Sequence, residues 1–131
     1  MYEQETAGVL VRVEPQFLPD ESDPAEGRFV WAYTIEIENR SEEELQLISR
    51  YWRITDSNGI TQEVRGEGVV GQQPVMGPGE SFRYTSAAPL AQPSGVMMGA
   101  YSMQRTKDGA AFDIAVPLFA LDSPHENRLA N

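Results

Sequence analysis

One stretch of this chain has a spacing that matches a defined chemistry. Arg65-Gly66-Glu67-Gly68-Val69-Val70-Gly71-Gln72 contains a literal G-x-G-x-x-G. That pattern cradles a pyrophosphate when it follows a strand and opens a helix, whose N-terminus presents free amides. Ile60–Arg65 reads as extended, so the first condition holds. The second fails, because Pro74, Gly77, Pro78 and Gly79 leave no room for a helix. A dinucleotide-binding unit is therefore rejected. What remains is a glycine loop whose amides can form an anion nest. Gly66, Gly68, Gly71 and Arg65 are its candidate anion- or pyrophosphate-binding residues, and Arg50 and Arg53 approach it if their strand neighbours it. Glu67 sits inside the loop and opposes an anion. The sequence favours the plainer expectation: the glycines shape the backbone, and phosphate or nucleotide binding is weak.

Other chemistries have fewer residues to draw on. The chain contains no cysteine, which excludes disulfides, thiol nucleophiles and thiolate metal sites. Its single histidine, His125, lies in the polar C-terminal tail, where no fixed catalytic geometry is expected. Carboxylates are abundant, yet no spacing singles out an acid–base pair. Neither an enzyme nor a cofactor is expected. Asp20-Glu21-Ser22-Asp23 with Glu26, and Glu42-Glu43-Glu44, offer oxygen ligands that suit Mg²⁺ or Ca²⁺. The first cluster lacks EF-hand spacing and is punctuated by Pro19, Pro24 and Gly27, so it reads as an acidic connecting loop. No metal ligands are assigned.

The elements that must position these residues are strands. Val9, Val11 and Val13 alternate with Leu10, Arg12 and Glu14; Phe29, Trp31, Tyr33, Ile35 and Ile37 form a longer apolar face. Phe112, Ile114, Val116 and Leu118 repeat the pattern. Weaker candidates are Leu45–Asp56, Gly59–Arg65, Ser81–Ser86 and Gly95–Thr106, giving seven strands. Asp56-Ser57-Asn58-Gly59 and Lys107-Asp108-Gly109 supply turn residues, whereas Gly77–Glu80 and Ala88–Gly95 cannot continue a regular element. The result is an all-β, immunoglobulin-type antiparallel sandwich. Trp31, Ile35, Trp52, Phe112 and Ile114 are expected in its core, with Trp52 among further aromatics at 33, 82, 84 and 101 and methionines at 97, 98 and 103. Ser41 and Glu44 form a capping box that allows one helical turn before Leu45. Leu45–Asp56 itself carries apolar residues on both faces. Met1–Glu5 and Asp122–Asn131 read as polar ends that fray.

Composition narrows the partners. A chain of 131 residues, 40% apolar and 23% charged, fits one folded domain, 1–131, with a core over about 6–121. Its formal charge of −10 repels phosphate backbones and anionic lipid heads. Neither nucleic acid nor membrane is expected as a partner. Absence of cysteine and an acidic, unsignal-like start point to a cytoplasmic protein. Nine of the ten basic residues are arginine, which suits forked interface contacts and favours a protein partner of unknown identity. Sandwich edges can also pair across a two-fold axis, so a homodimer is compatible.

Several segments resemble the bacterial ApaG family. They are Arg50–Asp56, Val64–Pro74, Pro78–Ser86, Gly95–Tyr101 and Phe112–Phe119, in the family's order. The resemblance runs from about Thr6 to Leu121. It implies a fibronectin type III-like sandwich and a link to cobalt/magnesium resistance or efflux that specifies no chemistry. It also implies kinship with protein-binding domains of F-box proteins and of a DNA-polymerase-delta-interacting protein. By the same resemblance, a pyrophosphate site would fall on Gly66, Gly68 and Gly71. The reading carried forward is a non-enzymatic protein-binding module. The alternatives are phosphate, pyrophosphate or nucleotide binding at the glycine loop, or direct divalent-cation binding.

Overall fold

Period-two alternation becomes nine strands in the computed structural model, which describes residues 2–125. They are β1 (Tyr2–Thr6), β2 (Val9–Phe17), β3 (Phe29–Asn39), β4 (Leu45–Asp56), β5 (Thr61–Glu67), β6 (Val75–Met76), β7 (Ser81–Leu90), β8 (Gly95–Arg105) and β9 (Ala111–Leu121). One antiparallel sheet has the order β1-β2-β3-β7; the other runs β5-β4-β8-β9, with β6 pairing to β4. The sheets face one another as a sandwich. β9 packs against β1 and β2 and closes one side. β5 and β7, the edge strands of the opposite side, do not pair with each other.

The core joins the inner faces of both sheets. Trp31, Ile35, Trp52 and Ile114 are buried as expected, while Phe112 and Phe82 are only half-buried against the cluster. Trp52 is its hub, meeting Tyr33, Tyr101 and Phe119 edge-on at 5.4, 6.2 and 6.1 Å between ring centres. Such tilted contacts suit the ring quadrupoles. Met97 and Met103 are buried, but Met98 is exposed.

β4 explains its own ambiguous pattern. The register between β4 and β8 shifts at Leu47/Ser49, where a bulge inserts one extra residue. Leu45 and Leu47 point inward before the bulge; Trp52 points inward after it. A bulge flips the parity, so apolar residues fall at odd and then even positions.

Four expectations need correction. Residues 2–5 of the expected frayed end belong instead to β1, because the Tyr2 ring packs on Phe119 and its hydroxyl accepts a 3.2 Å bond from the Ala120 amide; Met1 lies outside the described residues. β7 continues through Pro89 into Ala88–Gly95. A proline is tolerated there because β7 is an edge strand whose outer side needs no donor. The start of the C-terminal tail is also held: the Trp31 indole donates to the Asp122 carbonyl at 2.7 Å, and His125 stacks near Phe17 and Phe29. Residues 126–131 of that tail lie outside the described residues. The Ser41–Glu44 box makes no helical turn.

Asn39 takes the place of that turn. It is fully buried. Its carbonyl oxygen accepts from the Ser41 amide and hydroxyl at 3.0 and 2.6 Å. Its amide group donates to the carbonyls of Glu43 and Met76 at 2.8 and 2.9 Å. One side chain thus ties the β3–β4 connection to β6. Asn39→Ala should lower stability by about 2 kcal/mol, since buried backbone groups lose their partners. Asn58→Ala, in an exposed turn, should cost less than about 0.5 kcal/mol; urea denaturation of both variants compares them.

Candidate functional site at the glycine loop

The glycine loop begins in β5, whose pairing with β4 fixes what surrounds it. Across the pair Arg50 faces Gly66, Tyr51 faces Arg65, Trp52 faces Val64 and Arg53 faces Glu63. Alternate residues take opposite faces of a sheet. Arg50, Trp52, Val64 and Gly66 therefore share the inner face, while Tyr51, Arg53, Glu63 and Arg65 share the outer one.

That separation decides the arginines. Arg50 reaches the loop: its Nη1 donates to the carbonyls of Glu67 and Gly68 at 3.0 and 2.9 Å. Gly66 gives it room, because a Cβ there would lie 2.8 Å from the guanidinium carbon. Arg65 turns to the outer face instead, with its guanidinium 4.6 Å from the Tyr51 ring centre and 3.6 Å from the Glu63 carboxylate. Arg53 pairs across from Glu63, further from the loop. The Tyr51 hydroxyl donates to Glu63, which raises the phenol's pKa and lowers the carboxylate's.

Each glycine has a backbone duty. Val69 and Gln72 exchange both amide–carbonyl bonds, at 2.8 and 2.9 Å, around a two-residue hairpin tip. Val70 and Gly71 at that tip have φ of 44° and 78°, the signature of a type I′ turn. Gly68 also has positive φ, and a Cβ there would meet the Gln72 carbonyl oxygen. The amides of Gly68, Val69 and Gln72 are taken by the carbonyls of Ile48, Gln72 and Val69. Three amides are thus spent inside the protein. No helix follows: Gln72 leads to Gln73, Pro74 and the short β6.

Beside the loop, between the sheets, stands a cluster of phenols. The Tyr84 and Tyr101 hydroxyls lie 2.6 Å apart, and Tyr33 is buried near Ser86. Burial raises the pKa of all three, so they remain neutral hydrogen-bonding groups at ordinary pH. This cluster was assigned to the core from sequence, and its polar rim was missed. Among the described residues, no three His, Cys, Asp or Glu side chains converge on a metal position. Nor is any helix there long and apolar enough to cross a membrane.

The family model of the ApaG domain matches residues 19–105, a span that includes β4, β5 and the whole loop. The chain belongs to the ApaG family. A relative named Protein ApaG from Maricaulis maris is 57% identical over 126 residues, covering 96% of each chain. Another from Methylorubrum extorquens is 53% identical over 131 residues and covers 100% of each. The crystal structure described as an ApaA protein from Bordetella pertussis superposes with a TM-score of 0.85. It is 44% identical and covers 90% of this chain and 95% of that one. The sandwich reached from strand periodicity is the ApaG fold.

Val70 is the loop's strained position, since β-branched residues are outliers at positive φ. Val70→Asn creates the Asn-Gly pair that type I′ turns prefer and should raise the melting temperature by a few degrees. Gly68→Ala should lower it, by more than Gly71→Ala, whose Cβ would meet open space. Thermal denaturation of the three variants, with and without pyrophosphate, reads both the strain and any ligand effect.

Proposed function

We propose that this domain is a non-enzymatic module that binds a protein partner by strand addition to β5. The observation that carries the reading is the edge itself. β5 pairs only with β4, six of its seven residues are exposed, and Ile60 beside it is 63% exposed. An unpaired edge offers a row of amides and carbonyls to an incoming strand, and nearby apolar side chains add contact area. Natural edges are commonly blunted by charged side chains or proline; β5 has neither lysine nor proline, and its charges, Glu63, Arg65 and Glu67, are of mixed sign.

The alternatives have less support in the geometry. Pyrophosphate at Gly66, Gly68 and Gly71 would have to compete for the Gly68 amide, already bonded to the Ile48 carbonyl, and the Arg65 guanidinium is engaged with Tyr51 and Glu63. Direct divalent-cation binding lacks a converging ligand set among the described residues. In the proposed reading, a link to cobalt or magnesium efflux runs through the partner rather than through a metal held here. A cytoplasmic setting is part of the same proposal.

The test combines capture with mapping. The full chain and an Ile60→Lys/Thr61→Lys variant are used to capture partners from source lysate, followed by hydrogen exchange on the recovered complex. The expected result is a stoichiometric protein that protects residues 61–67 and is lost by the variant, with the variant's melting temperature unchanged. A doubled mass in sedimentation identifies that partner as a second copy. Protection confined to another surface, or recovery unaffected by the lysines, overturns the reading.

A further inference from the structure

The side of the sandwich that β9 does not close leaves a mouth between β5 and β7. Two cavities occupy it, of about 210 Å³ and about 280 Å³. Both are lined by Tyr33, Arg50, Trp52 and Ser86, so they adjoin at Arg50. The smaller extends toward Tyr84 and the hairpin tip at Val70 and Gly71. The larger is mixed in character: Ile54, Val64, Ala88, Pro89 and Met97 give it an apolar wall, and Gln62 stands beside them. One end is thus a cation among hydroxyl groups, and the other offers an apolar wall with one amide, Gln62, beside it.

The charge pattern runs against the rest of the molecule. The chain carries −10, yet no aspartate or glutamate lines either cavity. Arg12, Arg40, Arg65, Arg105 and Lys107 all form ion pairs. Half-buried Arg50 has no carboxylate among the described residues; its bonds go to two backbone carbonyls. Withdrawing a guanidinium from water without an anion is costly. Both carbonyls are taken by Nη1, which leaves the Nε–Nη2 edge free of any bond to the protein. That edge is the fork that binds a planar carboxylate through two parallel hydrogen bonds. Val70, strained at φ 44°, forms part of the wall, and such strain concentrates at ligand sites.

We propose that the inter-sheet mouth binds a small organic carboxylate with an apolar body. Its head pairs with the Nε–Nη2 edge of Arg50 beside the Ser86 and Tyr33 hydroxyls, and its body lies over Trp52 against Val64, Pro89 and Met97. The site lies on the inner face of β4 and β5, opposite Arg65, and is independent of strand addition to β5.

An NMR titration of the full ¹⁵N-labelled chain tests this, with phenylacetate, hexanoate, acetate, inorganic phosphate and pyrophosphate as probes. Phenylacetate and hexanoate should saturate shifts of the Trp52 indole and the Ser86, Val70 and Gly71 amides, leaving the Trp31 indole unmoved. Acetate, without a body, should bind roughly tenfold more weakly. Arg50→Gln should abolish the shifts. Because Arg50 also braces the loop, Val64→Asp provides a second test: it places a like charge at an exposed edge position, and should remove binding while Val64→Asn retains it. No saturable shift, shifts that survive Val64→Asp, or phosphate or pyrophosphate binding as well as phenylacetate would each overturn the proposal.

Discussion

A single inserted residue in β4 determines which side chains enter the sandwich. Without the bulge at Leu47/Ser49, the inward parity set by Leu45 and Leu47 would continue through Tyr51 and Arg53. With it, Arg50, Trp52 and Ile54 turn inward and Tyr51 and Arg53 turn out. Trp52 becomes the centre of the aromatic core, and Arg50 lines the mouth between the sheets. The exchange matters because an arginine in the middle of the core would be prohibitively desolvated. At the mouth it stays half-hydrated and finds two carbonyls.

The loop's shape follows from that arrival. Arg50 draws the Glu67 and Gly68 carbonyls inward, Gly66 leaves space for the guanidinium, and the chain reverses through a left-handed hairpin tip. The glycine spacing that imitates a phosphate-binding fingerprint is here the consequence of three unrelated steric demands. Phosphate fingerprints point amides at a ligand; this loop points carbonyls at an arginine. The same guanidinium that shapes the loop is left with a free edge in an otherwise acid-free cleft.

Much of this architecture was legible in the sequence. β4 begins and ends where the apolar pattern places it, and β3 begins at Phe29 where its apolar face begins, because strong alternation and turn chemistry act locally. β1 was missed because its buried contacts, Tyr2 with Phe119 and Ala120, come from the far end of the chain. β7 was shortened at Pro89 because a proline reads as a breaker unless its strand is known to be an edge. Asn39 gave no signal, since an asparagine at the end of a strand looks like an ordinary turn residue. The positions of the two arginines relative to the loop have a geometric reason. Arg65 is adjacent to Gly66 in sequence, and in a strand adjacency places two side chains on opposite faces. Arg50 was visible only conditionally, because finding it requires both the β4–β5 register and the parity switch.

The central claim is that Arg50 and Gly66 are a matched pair and that the loop's form depends on their contact. A double-mutant cycle on urea stability, using Arg50→Ala, Gly66→Ala and the combination, measures it directly. In the parent chain Gly66→Ala should cost about 1–2 kcal/mol, because the new methyl displaces a guanidinium held by two hydrogen bonds. In the Arg50→Ala background the same change should cost almost nothing, giving a coupling of about 1 kcal/mol or more. Additivity within about 0.3 kcal/mol would contradict the account and leave Gly66 a glycine for some other reason.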